Sequence, residues 1–147
     1  MSGFFGVWDA CVLMTTYVVG TNSVHTTATL CDYLGTRVGE GDTVVVVNSL
    51  RGGDDTSSAD VRDGEDALNA AYSRLSGQCT VETHQYIRSN EPEEDLLEAA
   101  AEFDADELVF GIRKRSPTAK VVFGSTAQEI LLNAEVPMVA VPLVTPD

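Results

Sequence analysis

The hydrophobic pattern of this chain switches repeatedly between two periods. Residues 11–19 form an unbroken β-branched and apolar run, the pattern of a strand covered on both faces. Gly20-Thr21-Asn22-Ser23 follows as a turn and helix start, and residues 24–38 place Ala28, Leu30, Leu34 and Val38 at helical spacing. After a stop at residues 39–42, residues 43–47 hold four consecutive valines, which predicts a central strand. The polar stretch 50–62 predicts a long connection, and residues 63–76 a helix with Ala67, Leu68, Ala71 and Leu75 on one face. Residues 80–87 alternate as a third strand. Pro92 falls in the opening turn of a third helix, where its missing N–H is harmless and the acidic residues around it suit the helix dipole. Leu96, Leu97, Ala100 and Phe103 make that helix's apolar stripe. Residues 107–110 predict a short fourth strand. Residues 125–134 predict a fourth helix with Ala127, Ile130, Leu131 and Ala134 inward, and Met138 to Val141 the last strand, between Pro137 and Pro142.

Five strands alternating with four helices, with no repeat and no linker, predict one α/β domain over residues 1–147. Its sheet is parallel and covered by helices on both faces. Ligands of such sheets bind beyond the carboxyl ends of the strands. The loops after Val19, Val47 and Phe110 are therefore where a site is expected.

Charge narrows the partners. Twenty-three acidic residues face nine Lys and Arg, a net charge of -14, and the lysines are only Lys114 and Lys120. Such a surface suits a halophilic cytosol, where salt screens its self-repulsion, or belongs to a merely acidic protein. It excludes a nucleic-acid partner, which requires basic patches. Cys11, Cys31 and Cys79 are scattered without a C-x-x-C, so neither a disulfide framework nor a zinc site is expected. They read as free thiols of a reducing cytoplasm, and the lone His25 and His84 read as structural. The apolar run 4–19 contains Asp9, follows no basic residue and falls short of the roughly 18 apolar residues of a membrane span. A cytoplasmic location is the expectation.

One segment carries chemistry. Gly111-Ile112-Arg113-Lys114-Arg115-Ser116-Pro117 follows the fourth strand, and Gly124-Ser125-Thr126 opens the fourth helix. The glycines allow close backbone approach and positive φ, free N–H groups at a helix start attract an anion, and Ser125 and Thr126 add hydroxyls. Arg113, Lys114, Arg115 and Lys120 bring four of the nine cationic residues into residues 113–120. A second reading needs no ligand: Ser125 with Gln128 is a capping box, and the basic run pairs with acidic neighbours. Both readings stand at this level. There is no G-x-x-x-x-G-K-[ST] and no G-x-S-x-G, and Gly39-x-Gly41 precedes a strand rather than following one. No acid and base stand paired, so no catalytic residue and no metal ligand is expected, and binding rather than turnover is the expected role.

The spacing Gly111-x2-Lys114-x9-Gly124-Ser125, the stretch 127–132 behind it and the ending 136–141 resemble the universal stress protein family, which carries G-x2-G-x9-G-[ST] after its fourth strand. Residues 81–84 and the Pro92-opened helix are similar too. The resemblance covers most of the chain and is strongest from Val81 onward. It implies a five-stranded sheet in the Rossmann-like order 3-2-1-4-5 and a stress-response protein that binds ATP or a related adenine nucleotide, with Mg²⁺. It also implies a homodimer formed through Met138 to Val141. In ATP-binding members the glycine loop and its Ser hold the phosphates, which carries over to Gly111, Arg113, Lys114, Gly124, Ser125 and Thr126. An Asp ending the first strand and a backbone position after the second hold the nucleoside. These fall at Val19, Gly20 and Thr21, and at Val47 or Asn48. The chain departs from the family twice. The expected Asp is Val19, which has no polar side chain, and the second loop glycine is Lys114, which adds a charge. Val19 favours an alternative, a nucleotide-independent dimeric interaction module on the same fold. A hydrolase of adenine nucleotides is disfavoured by the lack of a general base.

Overall fold

A computed structural model of the chain describes residues 14–50, 57–87, 92–113 and 125–143. In chain order the elements are β1 (Thr16–Gly20), α1 (Val24–Leu34), β2 (Thr43–Leu50), α2 (Ser58–Leu75), β3 (Thr80–Ile87), α3 (Pro92–Glu102), β4 (Glu107–Arg113), α4 (Ser125–Asn133) and β5 (Met138–Leu143). The strands pair in parallel in the order β3-β2-β1-β4-β5, the expected α/β arrangement.

Alternation along the strands divides the core in two. Tyr17, Val19, Val44, Val46 and Val109 face Leu30, Cys31 and Leu34 of α1 and Leu68, Ala71 and Leu75 of α2. Val18, Val45, Val47, Leu108 and Phe110 face Leu96, Ala99 and Ala100 of α3 and Ile130 of α4. The valine run of β2 is buried on both faces, as its lack of polar alternation demands.

Several boundaries differ from the sequence reading. Helix α1 stops at Leu34, where the Gly35 N–H returns to the Cys31 carbonyl at 2.7 Å, although Val38 remains buried in the same core. Helix α2 begins at Ser58 rather than residue 63. The Ser57 hydroxyl accepts the Asp60 N–H and the Asp60 carboxylate accepts the Ser57 N–H, each at 3.1 Å, a capping box that starts the helix early. Leu131, expected inward, is exposed: with Ile130 in the core, its neighbour lies about 100° round the helix. Strand β4 runs on through Arg113 because Gly111, Ile112 and Arg113 pair with Val141, Pro142 and Leu143.

Strand β5 is an edge. The Leu108 N–H donates to the Pro137 carbonyl at 2.9 Å, which turns the backbone of odd-numbered β5 residues toward β4 and that of even-numbered ones outward. Pro142 therefore takes an outward position, where a missing N–H breaks no ladder bond.

Candidate functional site

The carboxyl ends of the strands do not finish level. Strand β1 ends at Gly20, opposite Val47, and the Thr21 N–H closes that ladder on the Val47 carbonyl at 2.9 Å. Strand β2 continues, with Asn48, Ser49 and Leu50 paired to Gln85, Tyr86 and Ile87 of β3. On the other flank β4, whose Val109 lies beside Val19, runs on past β1 through Gly111 to Arg113. Among the described residues the short central strand thus leaves a crevice with β2 and β4 as walls and Gly20-Thr21 as floor. It lies where the strand order reverses, the usual ligand position in such sheets. Because the backbone of Val47 faces β1, that of Ser49 faces the same way, two residues further on, where β1 has ended.

Of the residues expected at a nucleoside, Gly20, Thr21, Val47 and Asn48 lie around this crevice and Val19 does not. Val19 is in the core at 2% exposure, packed with the α1 and α2 face, and takes no place at the rim. Gly20 ends the strand and lets α3 close: a Cβ there would come 3.0 Å from Leu96 Cδ2. Thr21 is the first residue beyond the strand and does carry a polar side chain. Its hydroxyl donates to the Ser23 carbonyl at 3.2 Å and pairs with the Thr27 hydroxyl at 2.7 Å. Val47 is buried on the α3 side with its carbonyl already taken by Thr21. The Asn48 side chain is also occupied, its Nδ2 donating to Gln85 Oε1 at 2.8 Å while Gln85 Nε2 donates to the Val61 carbonyl of α2 at 3.1 Å.

The sequence reading missed Ser49. Its hydroxyl donates to Oδ2 of Asp95 at 2.5 Å, and Asp95, in the first turn of α3, is completely buried. The last polar residues of β2 are thereby tied on both faces of the sheet, Asn48 toward β3 and α2, Ser49 toward α3. Polar residues straight after a fully buried run were the available signal.

On the phosphate side, Gly111 is a strand residue whose φ is not positive, against the expectation of a loop glycine. Its missing side chain makes room for Leu143, whose Cδ1 would lie 2.7 Å from a Cβ. Arg113 closes β4, and Ser125 and Thr126 open α4 as expected. The side chains of those three, and Lys114 and Gly124 entirely, lie outside the described residues.

Burial raises the thiol pKa of both Cys31 and Cys79, which keeps them protonated and unreactive at neutral pH. His84 stacks with Tyr86 and against Phe103, at centroid distances of 6.1 and 5.1 Å, on β3, with β2 between it and β1. Among the described residues no three His, Cys, Asp or Glu gather as a metal site, and no helix is long and apolar enough to cross a membrane.

Comparison with known proteins places this geometry in a family. The model of the universal stress protein family matches residues 18–142. A universal stress protein of Mycolicibacterium smegmatis is 48% identical over 48 residues, which is 33% of this chain and 37% of that protein. The match thus spans little more than a third of that relative's length. The structure of a universal stress protein from Archaeoglobus fulgidus superposes with a TM-score of 0.71 at 32% identity, covering 86% of this chain and 98% of that one. A universal stress protein from the same organism in complex with dAMP superposes with a TM-score of 0.66 at 26% identity, covering 88% of this chain and 98% of that one.

Proposed function

The chain belongs to the universal stress protein family, and on that premise we propose that it binds an adenine nucleotide, ATP or a close relative, in the crevice above β1 as part of a stress response. The observation that carries the reading is the backbone of Ser49, left without a strand neighbour at the switch point of the sheet. An N–H and a C=O side by side match the donor–acceptor edge of a base, and the dAMP-bound relative makes a base the fitting class of ligand. Thr21 stands at the rim with its hydroxyl bonded inward to Ser23 and Thr27, so contacts to the nucleoside there fall to its backbone. The phosphates would extend toward Arg113, Lys114, Gly124, Ser125 and Thr126, where the start of α4 and the cationic cluster suit anions. A Mg²⁺ ion would be held chiefly by the phosphates themselves, which is how that ion usually binds.

Isothermal calorimetry with ATP tests this. Wild type binds, and Gly124→Val weakens binding by about tenfold or more, because a branched side chain blocks backbone approach to the phosphates. Unchanged affinity in the variant removes the phosphate site. A wild type that binds no nucleotide leaves the nucleotide-independent interaction module as the function.

Assembly forms a second part of the proposal. The open edge of β5 offers the N–H groups of Met138 and Ala140, and a second copy across a two-fold axis satisfies them. Ala140→Pro removes one outward donor while sparing the ladder to β4. Sedimentation should show wild type as a dimer at micromolar concentration and the variant shifted to monomer. A wild-type monomer ends the proposal.

A further inference from the structure

The structure assigns Ser49 and Asp95 a joint positioning role: the hydrogen bond between them fixes the overhanging tip of β2 in the orientation that reads a base. The inference rests on the nucleotide reading given above. Three observations support it. First, Asp95 is 0% exposed and accepts a 2.5 Å bond from Ser49 Oγ. A buried carboxylate is costly unless it is held by hydrogen bonds, so its presence under the crevice calls for a role. Second, it stands in the first turn of α3, where the helix dipole favours its charge and the helix holds it rigidly. Third, the residue it grips is the one whose backbone faces the gap left by β1. A strand tip paired on one side only would otherwise twist freely about that pairing. Asn48, bonded to Gln85, restrains the same tip from the opposite face, so the backbone groups of Ser49 are set before any ligand arrives. Preorganisation of this kind raises affinity by lowering the ordering cost of binding.

The role separates base recognition from phosphate recognition, and the test uses that separation. Affinities for ATP and for inorganic tripolyphosphate are measured by calorimetry on wild type, Ser49→Ala and Ser49→Thr, each checked for a cooperative melt. Ser49→Ala should lose about tenfold in ATP affinity and stay within about twofold for tripolyphosphate, and Ser49→Thr, which keeps the hydroxyl, should recover most of the loss. Should Ser49→Ala fail to fold, Ser49→Cys takes its place as a near-isosteric weak donor. Equal losses for both probes would show a general structural effect and overturn the role, as would an unchanged ATP affinity. A wild type that binds tripolyphosphate but no ATP removes the nucleotide reading itself, and with it this inference.

Discussion

Val19→Asp, the change that writes the family's carboxylate into the position first aligned with it, should come close to unfolding the protein. Val19 is 2% exposed among Leu30, Leu34, Val46 and Val109, on the face covered by α1 and α2. An aspartate there must be protonated to stay inside. Taking up that proton at pH 7 against an ordinary value near 3.9 costs about 4 kcal/mol, before the lost valine contacts are counted. Against a typical domain stability of roughly 5–15 kcal/mol, little remains. The sign with pH is fixed. The carboxyl's folded-state pKa is raised, so the penalty is absent below about pH 4 and grows as pH rises above it. Thermal melts of variant and wild type should therefore converge on acidification. A variant that melts like wild type at pH 7 would show that residue 19 points out of the core.

Gly64→Ala should destabilise the protein by about 2–3 kcal/mol, although alanine is the better helix former by about 1 kcal/mol. Gly64 is buried in the interior of α2, directly over the Asn48–Gln85 hydrogen bond, and a Cβ would enter the van der Waals shells of Gln85 Oε1 and Asn48 Nδ2. Neither amide can step aside without leaving its partner, and Gln85 also holds the Val61 carbonyl. Urea denaturation decides the matter, since propensity alone predicts a gain. In an Asn48→Ala background the same substitution should cost much less, because one of the two obstructing groups is gone. Equal losses in both backgrounds would mean that the strain lies elsewhere.

The alternation of periods made the five strands and four helices legible, because covered parallel strands and amphipathic helices each leave a local signature. The site was legible in part. The Ser57-x-x-Asp60 box that starts α2 is local, but the polar composition of residues 50–62 around it reads as a loop. Gly20 read as a turn but is a strand residue whose smallness admits Leu96, and so the end of β1 was placed at Val19 rather than beside Thr21. Asn48 and Ser49 read as the close of a strand. Their partners, Gln85 and Asp95, stand 37 and 46 residues away, and no local pattern announces a polar group satisfied at such a distance. The unequal lengths of β1, β2 and β4, which create the crevice, are likewise a property of the assembled sheet.

The pairing of β1 with β4 has a consequence for how the protein comes together. Thr15 and Asp42, which tie the start of β1 to β2, are 27 residues apart, whereas the bond from Thr16 N–H to Asp106 beside β4 spans 90. Loop-closure entropy rises with that separation, and distant pairings reward the chain only after the loss has been met. The first three strands and the last two thus form two locally connected halves, and the β1–β4 seam is the long-range step that joins them. The crevice straddles that seam. A nucleotide held there, as proposed, would touch groups from both halves, so it would bind only the closed chain and stabilise it by mass action. Its occupancy would then report whether the two halves have joined, and the proposed ligand would serve as a clasp for the fold.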